Sequence, residues 1–397
     1  MHLSLRILLE AVTVAGTLSC LCFYALSFAG LLSFLSHARR ASAHSASNER
    51  NPPPVSILKP LKGIDPEIWE SFCRHAEQQY PEFELIFGVS NPSDPACEAV
   101  RKLQVAYPAC QIKLIVCKRI LGTNVKVSNL SQMVPEARHE ILLVNDSDIR
   151  VAPDYLRQVT APLNDAQVGL VTCLYRGIAA KTLGSRFEAL GIGTDFVPGV
   201  LSARLLEGGL HFGLGSTLVF RRQDLASIGG FESMVDYLAD DYELGHRISA
   251  TGKRVELSAA IVATYLPAYT LGEFWRHQLR WSRTIRAARR WGYAGLLFTF
   301  GLPWALAALI ASSGATWAWV LFAAALTARL LVGVGTASAV LRGRQVGRDL
   351  VLLPLRDLIA PLIWAAGLIG NRIHWRGEDF DLKDGRLFRA GRSISKR

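Results

Sequence analysis

The chain is 397 residues long, half of them hydrophobic and 19% charged, and 44 Lys and Arg against 33 Asp and Glu leave a net charge of +11. This apolar share excludes a disordered or fibrous chain and suits an ordinary soluble protein poorly, while the length allows about two to three domains. The basic excess admits nucleic acid, anionic lipid or a phosphate-bearing ligand as partner.

Residues 11–36 carry no charge, enough to cross a hydrocarbon core of about 30 Å as a helix. A cleaved signal peptide would have an apolar region of only about 7–15 residues. Residues 1–40 are therefore read as a transmembrane anchor. His37, Arg39 and Arg40 follow it, whereas Arg6 stands alone before Glu10, which places the next segment in the cytoplasm. The seven cysteines form no CxxC pair or zinc-spaced cluster, so they are read as buried, reduced thiols.

Residues 50–270 contain short β-rich runs at 55–58, 84–89, 111–116, 140–144, 168–174 and 216–220, separated by helix-length intervals. The pattern predicts an α/β domain of βα units around a mainly parallel sheet, with ligands beyond the carboxyl ends of the strands. Those ends read Lys59-Pro60-Leu61-Lys62-Gly63, Ser90-Asn91-Pro92-Ser93-Asp94 and Asn145-Asp146-Ser147-Asp148. In an extended segment the carboxylates of Asp146 and Asp148 share a face and can converge on a hard cation; a plain surface turn is the alternative. The glycine-rich stretch 208–215, with His211, is either an acceptor-side loop or an ordinary one. Asp240 and Asp241 open a helix, where the dipole accounts for one carboxylate better than for two adjacent ones.

His277-Gln278-Leu279-Arg280-Trp281 lies in a stretch of interleaved arginines and aromatics, which predicts an interfacial helix over 271–292. The charge-free run 291–328 is too long for one span and is interrupted at Ser312-Ser313-Gly314. A transmembrane hairpin over 293–341, with arms near 294–311 and 316–338, is expected. Arg329 in its second arm is expected to snorkel, the alternative being a protein or ligand partner. The stretch 349–370 is broken by Pro354, Arg356, Asp357 and Pro361 and reads as a re-entrant or interfacial element. The remainder, 371–397, with Arg372, Arg376, Lys383, Arg386, Arg389, Arg392, Lys396 and Arg397, reads as a basic cytosolic tail.

The ordered set Asp94, Asp146-Ser147-Asp148, Asp240-Asp241 and His277-Gln278-Leu279-Arg280-Trp281 resembles the signature of inverting GT-A glycosyltransferases. That signature runs Asp, a DxD-like element, a later Asp and (Q/R)xxRW. Residues 56–66 and 146–151 are similar to ceramide glucosyltransferase and to bacterial relatives that include the hopanoid-biosynthesis glycosyltransferase. Two departures stand out. His277 replaces Gln or Arg, leaving open whether His277, Arg276 or neither makes that contact, and Asp148 is present where animal ceramide glucosyltransferases often lack it.

The resemblance implies a GT-A (Rossmann-like) domain between N-terminal and C-terminal transmembrane or interfacial helices. It further implies a UDP-sugar donor and Mn²⁺ or Mg²⁺ held by Asp146 and Asp148. Donor contacts would come from Lys59, Asp94, Lys126, Asp146, His277, Arg280 and Trp281. Asp241 would be the general base, with His211 and Asp240 towards the acceptor. The expected reaction moves GlcNAc or glucose to a membrane-lipid hydroxyl, with the hopanoid bacteriohopanetetrol first and ceramide second. The setting is an integral membrane protein, of the bacterial inner membrane, with its catalytic domain in the cytoplasm. A processive polysaccharide synthase would need more spans. A non-catalytic lipid-binding scaffold would have no need of all of Asp146, Asp148, Asp241 and Arg280. Nucleic acid is disfavoured because the basic residues cluster beside apolar segments.

Overall fold

Runs of branched and aromatic residues build the strands at the centre of the protein: β1 (Val55–Leu61), β2 (Phe83–Val89), β3 (Gln111–Val116), β4 (Ile141–Val144), β5 (Ile149–Arg150), β6 (Val168–Ile178), β7 (Leu218–Arg221) and β8 (Arg254–Tyr265). The computed structural model describes residues 2–48, 52–342 and 344–390; Arg392, Lys396 and Arg397 of the expected tail lie outside the described residues. β1 and β4 are buried along their whole length, as parallel strands covered on both faces must be. The strands form one sheet in the order β3-β2-β1-β4-β7-β6-β8-β5. The half from β3 to β4 is parallel, with Val55 opposite both Phe83 and Ile141. β6 and β8 are parallel to each other, while β7 runs antiparallel to β4 and β6, and β5 antiparallel to β8, so six of the eight strands share one direction and the sheet is mainly parallel, as expected.

The chain divides into two compact units. The sheet unit comprises Ser36–Ile178, Glu207–Pro267 and Arg372–Arg397; the helical unit comprises Met1–Leu35, Ala179–Leu206 and Ala268–Asn371. Two expected boundaries change. Residues 179–206 leave the catalytic domain drawn over 50–270, and the expected tail joins the sheet unit as a three-stranded antiparallel sheet. Its strands are β9 (Arg372–Trp375), β10 (Glu378–Lys383) and β11 (Arg386–Arg389). It folds because Ile373, Phe380, Leu382 and Leu387 alternate inward and are buried, while the charges alternate outward.

In the helical unit, four helices among the described residues are long and apolar enough to cross a membrane: Ser4–Arg40, Leu183–Leu206, Thr316–Val340 and Gly347–Leu368. The pair Arg290–Thr299 and Gly301–Ala311, bent by 53°, qualifies jointly. The small sheet is tied to the rest of its unit by Leu387 N–H donating to Asp236 C=O at 2.7 Å.

The 349–370 stretch is not broken, because the Leu353–Leu368 helix runs through Pro361. Arg329 does not snorkel: it is buried and forks onto Asp357, Nε to Oδ2 at 2.8 Å and Nη2 to Oδ1 at 2.7 Å, while Nη1 donates to Thr194 C=O. Nη2 also reaches Asp195, whose other oxygen is 2.9 Å from Arg356 Nη2. In apolar surroundings four charges in mutual contact cost far less than one isolated charge. Five of the cysteines are buried, Cys110 is half-buried and Cys22 is exposed.

Candidate active site

β4 ends at Val144, and Asp146 to Ile149 form a turn closed by Ile149 N–H donating to Asp146 C=O at 3.4 Å. The alternation of an extended strand therefore does not apply, and the two carboxylates take different partners. Asp146 Oδ1 receives Lys126 Nζ at 2.8 Å, whereas Asp148 accepts from the Thr264 hydroxyl. Burial first, then the Asp146 charge, pushes Asp148 up to about 6. Among the described residues no three His, Cys, Asp or Glu side chains gather as a metal set.

The turn stands on buried polar groups. Lys59, expected at the donor, is fully buried, with Nζ donating to Asp146 C=O at 2.9 Å; burial lowers it to about 7. Asn145 Oδ1 lies 3.1 Å from His75 Nε2, and Asn145 donates through Nδ2 to Ser216 C=O (2.6 Å) and the Tyr155 hydroxyl (3.0 Å). Burial, then Lys59, lowers His75 to about 3, so its ring is neutral. Lys59 is thus a support of the turn and not a donor contact.

Lys126 sits in the first turn of the Val125–Met133 helix, capped by Asn124. Its ammonium bridges Asp146 and Asp240, 3.0 Å from Asp240 Oδ2, and the carboxylates around it outweigh burial and raise its pKa. Asp240 is thereby engaged with Lys126, a role that helix capping alone does not describe. Asp241 accepts the Gly215 N–H at Oδ2 (2.7 Å) and the Tyr242 N–H at Oδ1 (2.8 Å). Burial first, then Asp240, pushes it up to about 6, against the pull of Lys126.

Gly215 lies between the two key carboxylates: a Cβ there would sit 3.1 Å from Asp241 Oδ2 and 3.5 Å from Asp146 Oδ2. Gly215→Ala must displace Asp241 by a few tenths of an ångström and is expected to slow turnover by up to about tenfold with the melting temperature unchanged. A rate equal to wild type would show that the carboxylate position does not matter. An open cleft adjoins this group, lined by Pro60, Lys62, Lys126, Asp146, Trp375 and Arg376 among others. Asp94 accepts the Gly63 N–H, at 3.0 and 3.1 Å to its two oxygens, and the Ala96 N–H at 2.9 Å. It thereby ties the end of β2 to the end of β1. His211 contacts Ser249 Oγ at 2.8 Å and Glu207 C=O at 3.4 Å.

Residues 15–388 match glycosyl transferase family 21. The chain belongs to this family. It is 22% identical over 367 residues to ceramide glucosyltransferase 1 of Caenorhabditis elegans, covering 89% of this chain and 77% of that one. A ceramide glucosyltransferase of Candida albicans is 31% identical over 126 residues, covering 28% of this chain and 22% of its own. Among solved structures, a mannosyltransferase of Pyrobaculum calidifontis, in complex with GDP-Man and Mn²⁺, superposes with a TM-score of 0.52 at 20% identity. That match covers 91% of this chain and 96% of that one. The fold is GT-A, and this family 21 protein is a ceramide glucosyltransferase-like hexosyltransferase.

The (Q/R)xxRW counterpart of the family 21 chain lies in the helical unit. The Leu271–Ala288 helix begins with a capping box of Thr270 and Glu273, the S/T-x-x-E signature. Glu188, buried and missed in the sequence, receives Gln278 Nε2 at 2.9 Å and lies 3.2 Å from His277 Nδ1. His277 also stacks on Tyr269, with centroids 5.3 Å apart, and Trp281 meets Phe196 edge-on at 6.0 Å. Arg286 donates to Gly367 C=O at 2.6 Å and Arg283 to Ile369 C=O at 2.9 Å. These two arginines cap a helix end, a role not expected of them at an interface.

Proposed function

We propose that the protein transfers one hexose from a UDP-sugar to a hydroxyl of a membrane lipid, with inversion at the anomeric carbon. The observation that carries this reading is the Asp241 carboxylate, held by two backbone N–H groups beside Lys126, Asp146 and the open cleft. Asp241 takes the proton of the acceptor hydroxyl, whose oxygen bonds to the anomeric carbon as the bond to the diphosphate oxygen breaks. Lys126 meets the charge developing on the leaving diphosphate, and the family signature assigns Arg280 and Trp281 to the same group. Asp94, at the β1–β2 end, is placed towards the uridine.

A divalent cation fits a site of one protein carboxylate. Asp146 is partly exposed, and Mg²⁺ or Mn²⁺ commonly takes one or two carboxylates and completes its shell with phosphate and water. Such an ion would supply charge neutralisation at the diphosphate. Asp148 then acts by shaping the turn. For the acceptor, the complete Asp146-Ser147-Asp148 element and the His277–Trp281 spelling put a hopanoid polyol, bacteriohopanetetrol, first. The named relatives favour ceramide as the second reading. The long apolar helices suit a membrane protein, placed with its sheet unit on the cytoplasmic side of a bacterial inner membrane.

The test is sugar transfer by the full chain in detergent, with UDP-glucose or UDP-GlcNAc, a hopanoid polyol or ceramide, and Mn²⁺, Mg²⁺ or EDTA. Transfer to one lipid, abolished by EDTA and restored by metal, is expected. Failure of every pairing would move the assignment to a lipid-binding scaffold.

A further inference from the structure

The segment expected to be a basic tail is a wall of the cleft. Trp375, Arg376, Glu378 and Phe380, from β9, β10 and the turn between them, line it together with Lys62, Lys126 and Asp146. The sheet they belong to is fastened to the segments that carry the chemistry. Thr123 Oγ1, three residues before Lys126, donates to Leu387 C=O at 3.0 Å. Leu238 N–H, two residues before Asp240, donates to Gly385 C=O at 3.1 Å. Arg386 lies over the Tyr237 ring, 5.1 Å from its centroid.

The turns of this sheet show where side-chain chemistry has been placed against backbone preference. Both have two central residues at positive φ: Arg376 at 51° with Gly377 at 86°, and Asp384 at 50° with Gly385 at 78°. Asp-Gly is a favoured pair for such a hairpin turn; arginine adopts this conformation at a cost that Asn, Asp or Gly largely escapes. The unfavourable residue is the one facing the cleft, and strain of this kind persists where a side chain has a use. Arg376 is locked to the end of β1 by reciprocal bonds, its Nη1 donating to Lys62 C=O at 3.1 Å and Lys62 Nζ donating to Arg376 C=O at 3.2 Å. The next residue, Gly63, is held by Asp94. Trp375, half-buried, lies beside Phe380, with centroids 6.4 Å apart.

The Trp375 ring and the cations Lys62, Lys126 and Arg376 outnumber the two carboxylates of the cleft, Asp146 and Glu378, of which Glu378 is 3.6 Å from Arg389, and match the chemistry of a nucleoside diphosphate. Its base stacks on an aromatic ring, and its phosphates take charge-assisted hydrogen bonds. We propose that the β9–β10 hairpin is a donor-binding element, in which Trp375 packs its ring against the nucleoside diphosphate and Arg376 donates to it. This rests on the UDP-sugar reading of the same site.

The test measures UDP binding to the full chain in detergent with Mn²⁺ by calorimetry, with a thermal melt of each variant. Arg376→Gly suits the left-handed turn, so it removes the guanidinium while retaining the hairpin; Trp375→Ala removes the ring and Trp375→Phe keeps part of it. The expected result is a Kd for UDP raised on the order of fivefold or more in Arg376→Gly and Trp375→Ala. Trp375→Phe should fall between Trp375→Ala and wild type, and Arg376→Gly should melt no lower than wild type. Wild-type affinity in both Arg376→Gly and Trp375→Ala would overturn the hairpin proposal and leave the UDP reading standing. Absence of UDP and GDP binding to the wild type would overturn both.

Discussion

Asp241→Asn is expected to lower kcat about a hundred- to ten-thousand-fold with little change in the donor KM, because the base acts on the acceptor proton and not on donor affinity. The two backbone donors add a structural consequence. Gly215 N–H and Tyr242 N–H approach different oxygens of Asp241, so an amide turns its NH₂ towards one of them, and a melt of the variant separates loss of fold from loss of the base. The pH profile gives an independent reading. Asp241 titrates at about 6; a base must be ionised, and a raised carboxyl pKa means protonation sets in already below pH 6. The logarithm of kcat/KM should therefore be flat above about 6 and fall with unit slope below it. Asp240→Asn removes a repelling charge and should move that limb to lower pH, whereas Lys126→Met removes an attracting one and should move it higher. Turnover at the wild-type rate in Asp241→Asn would exclude Asp241 as the base.

Much of the sheet is legible in the sequence because β4 is a continuous apolar run and β1 and β2 are largely apolar, as burial on both faces demands. β5 is only two residues long, and β8 contains Ser258-Ala259-Ala260 near an irregularity in its pairing with β6, which blurs the apolar signal. The site was legible as a list of residues more than as a geometry. Asp146, Lys126, Asp240 and Asp241 do converge, but Asp148 turns aside because a four-residue turn replaces the extended segment that would have aligned it. Lys59 fails as a donor contact for a different reason: a lysine inside a strand buried on both faces has to reach a carbonyl within the fold. The C-terminal sheet carried a usable signal in Arg376-Gly377 and Asp384-Gly385 between alternating runs, obscured by the charges at most outward positions. Asp195 was a similar case, a lone carboxylate in the apolar stretch 189–203 whose partner, Arg329, is a lone cation in another.

Arg329→Met is expected to destabilise the protein by about 3–5 kcal/mol, read as a lowered melting temperature in detergent and a smaller folded fraction by size-exclusion chromatography. The arginine is 3% exposed and forks onto Asp357, and its loss strands that carboxylate in an apolar helix. Asp195 keeps Arg356 at 2.9 Å, so the penalty concentrates on Asp357. The double change Arg329→Met with Asp357→Leu removes both charges, leaves Asp195 paired with Arg356, and should recover most of the loss, since an ion pair replaced as a whole by apolar residues is often neutral or stabilising. A snorkelling arginine would behave otherwise: Arg329→Met would cost under about 1 kcal/mol, and Asp357→Leu alone would be harmless. Equal melting of the single and double variants would separate Arg329 from Asp357 energetically. The recovery, if seen, makes the ion cluster a means of selecting which apolar helices pair, because only Asp357, Asp195 and the Thr194 carbonyl together satisfy the donors of Arg329 on the Thr316–Gly335 helix.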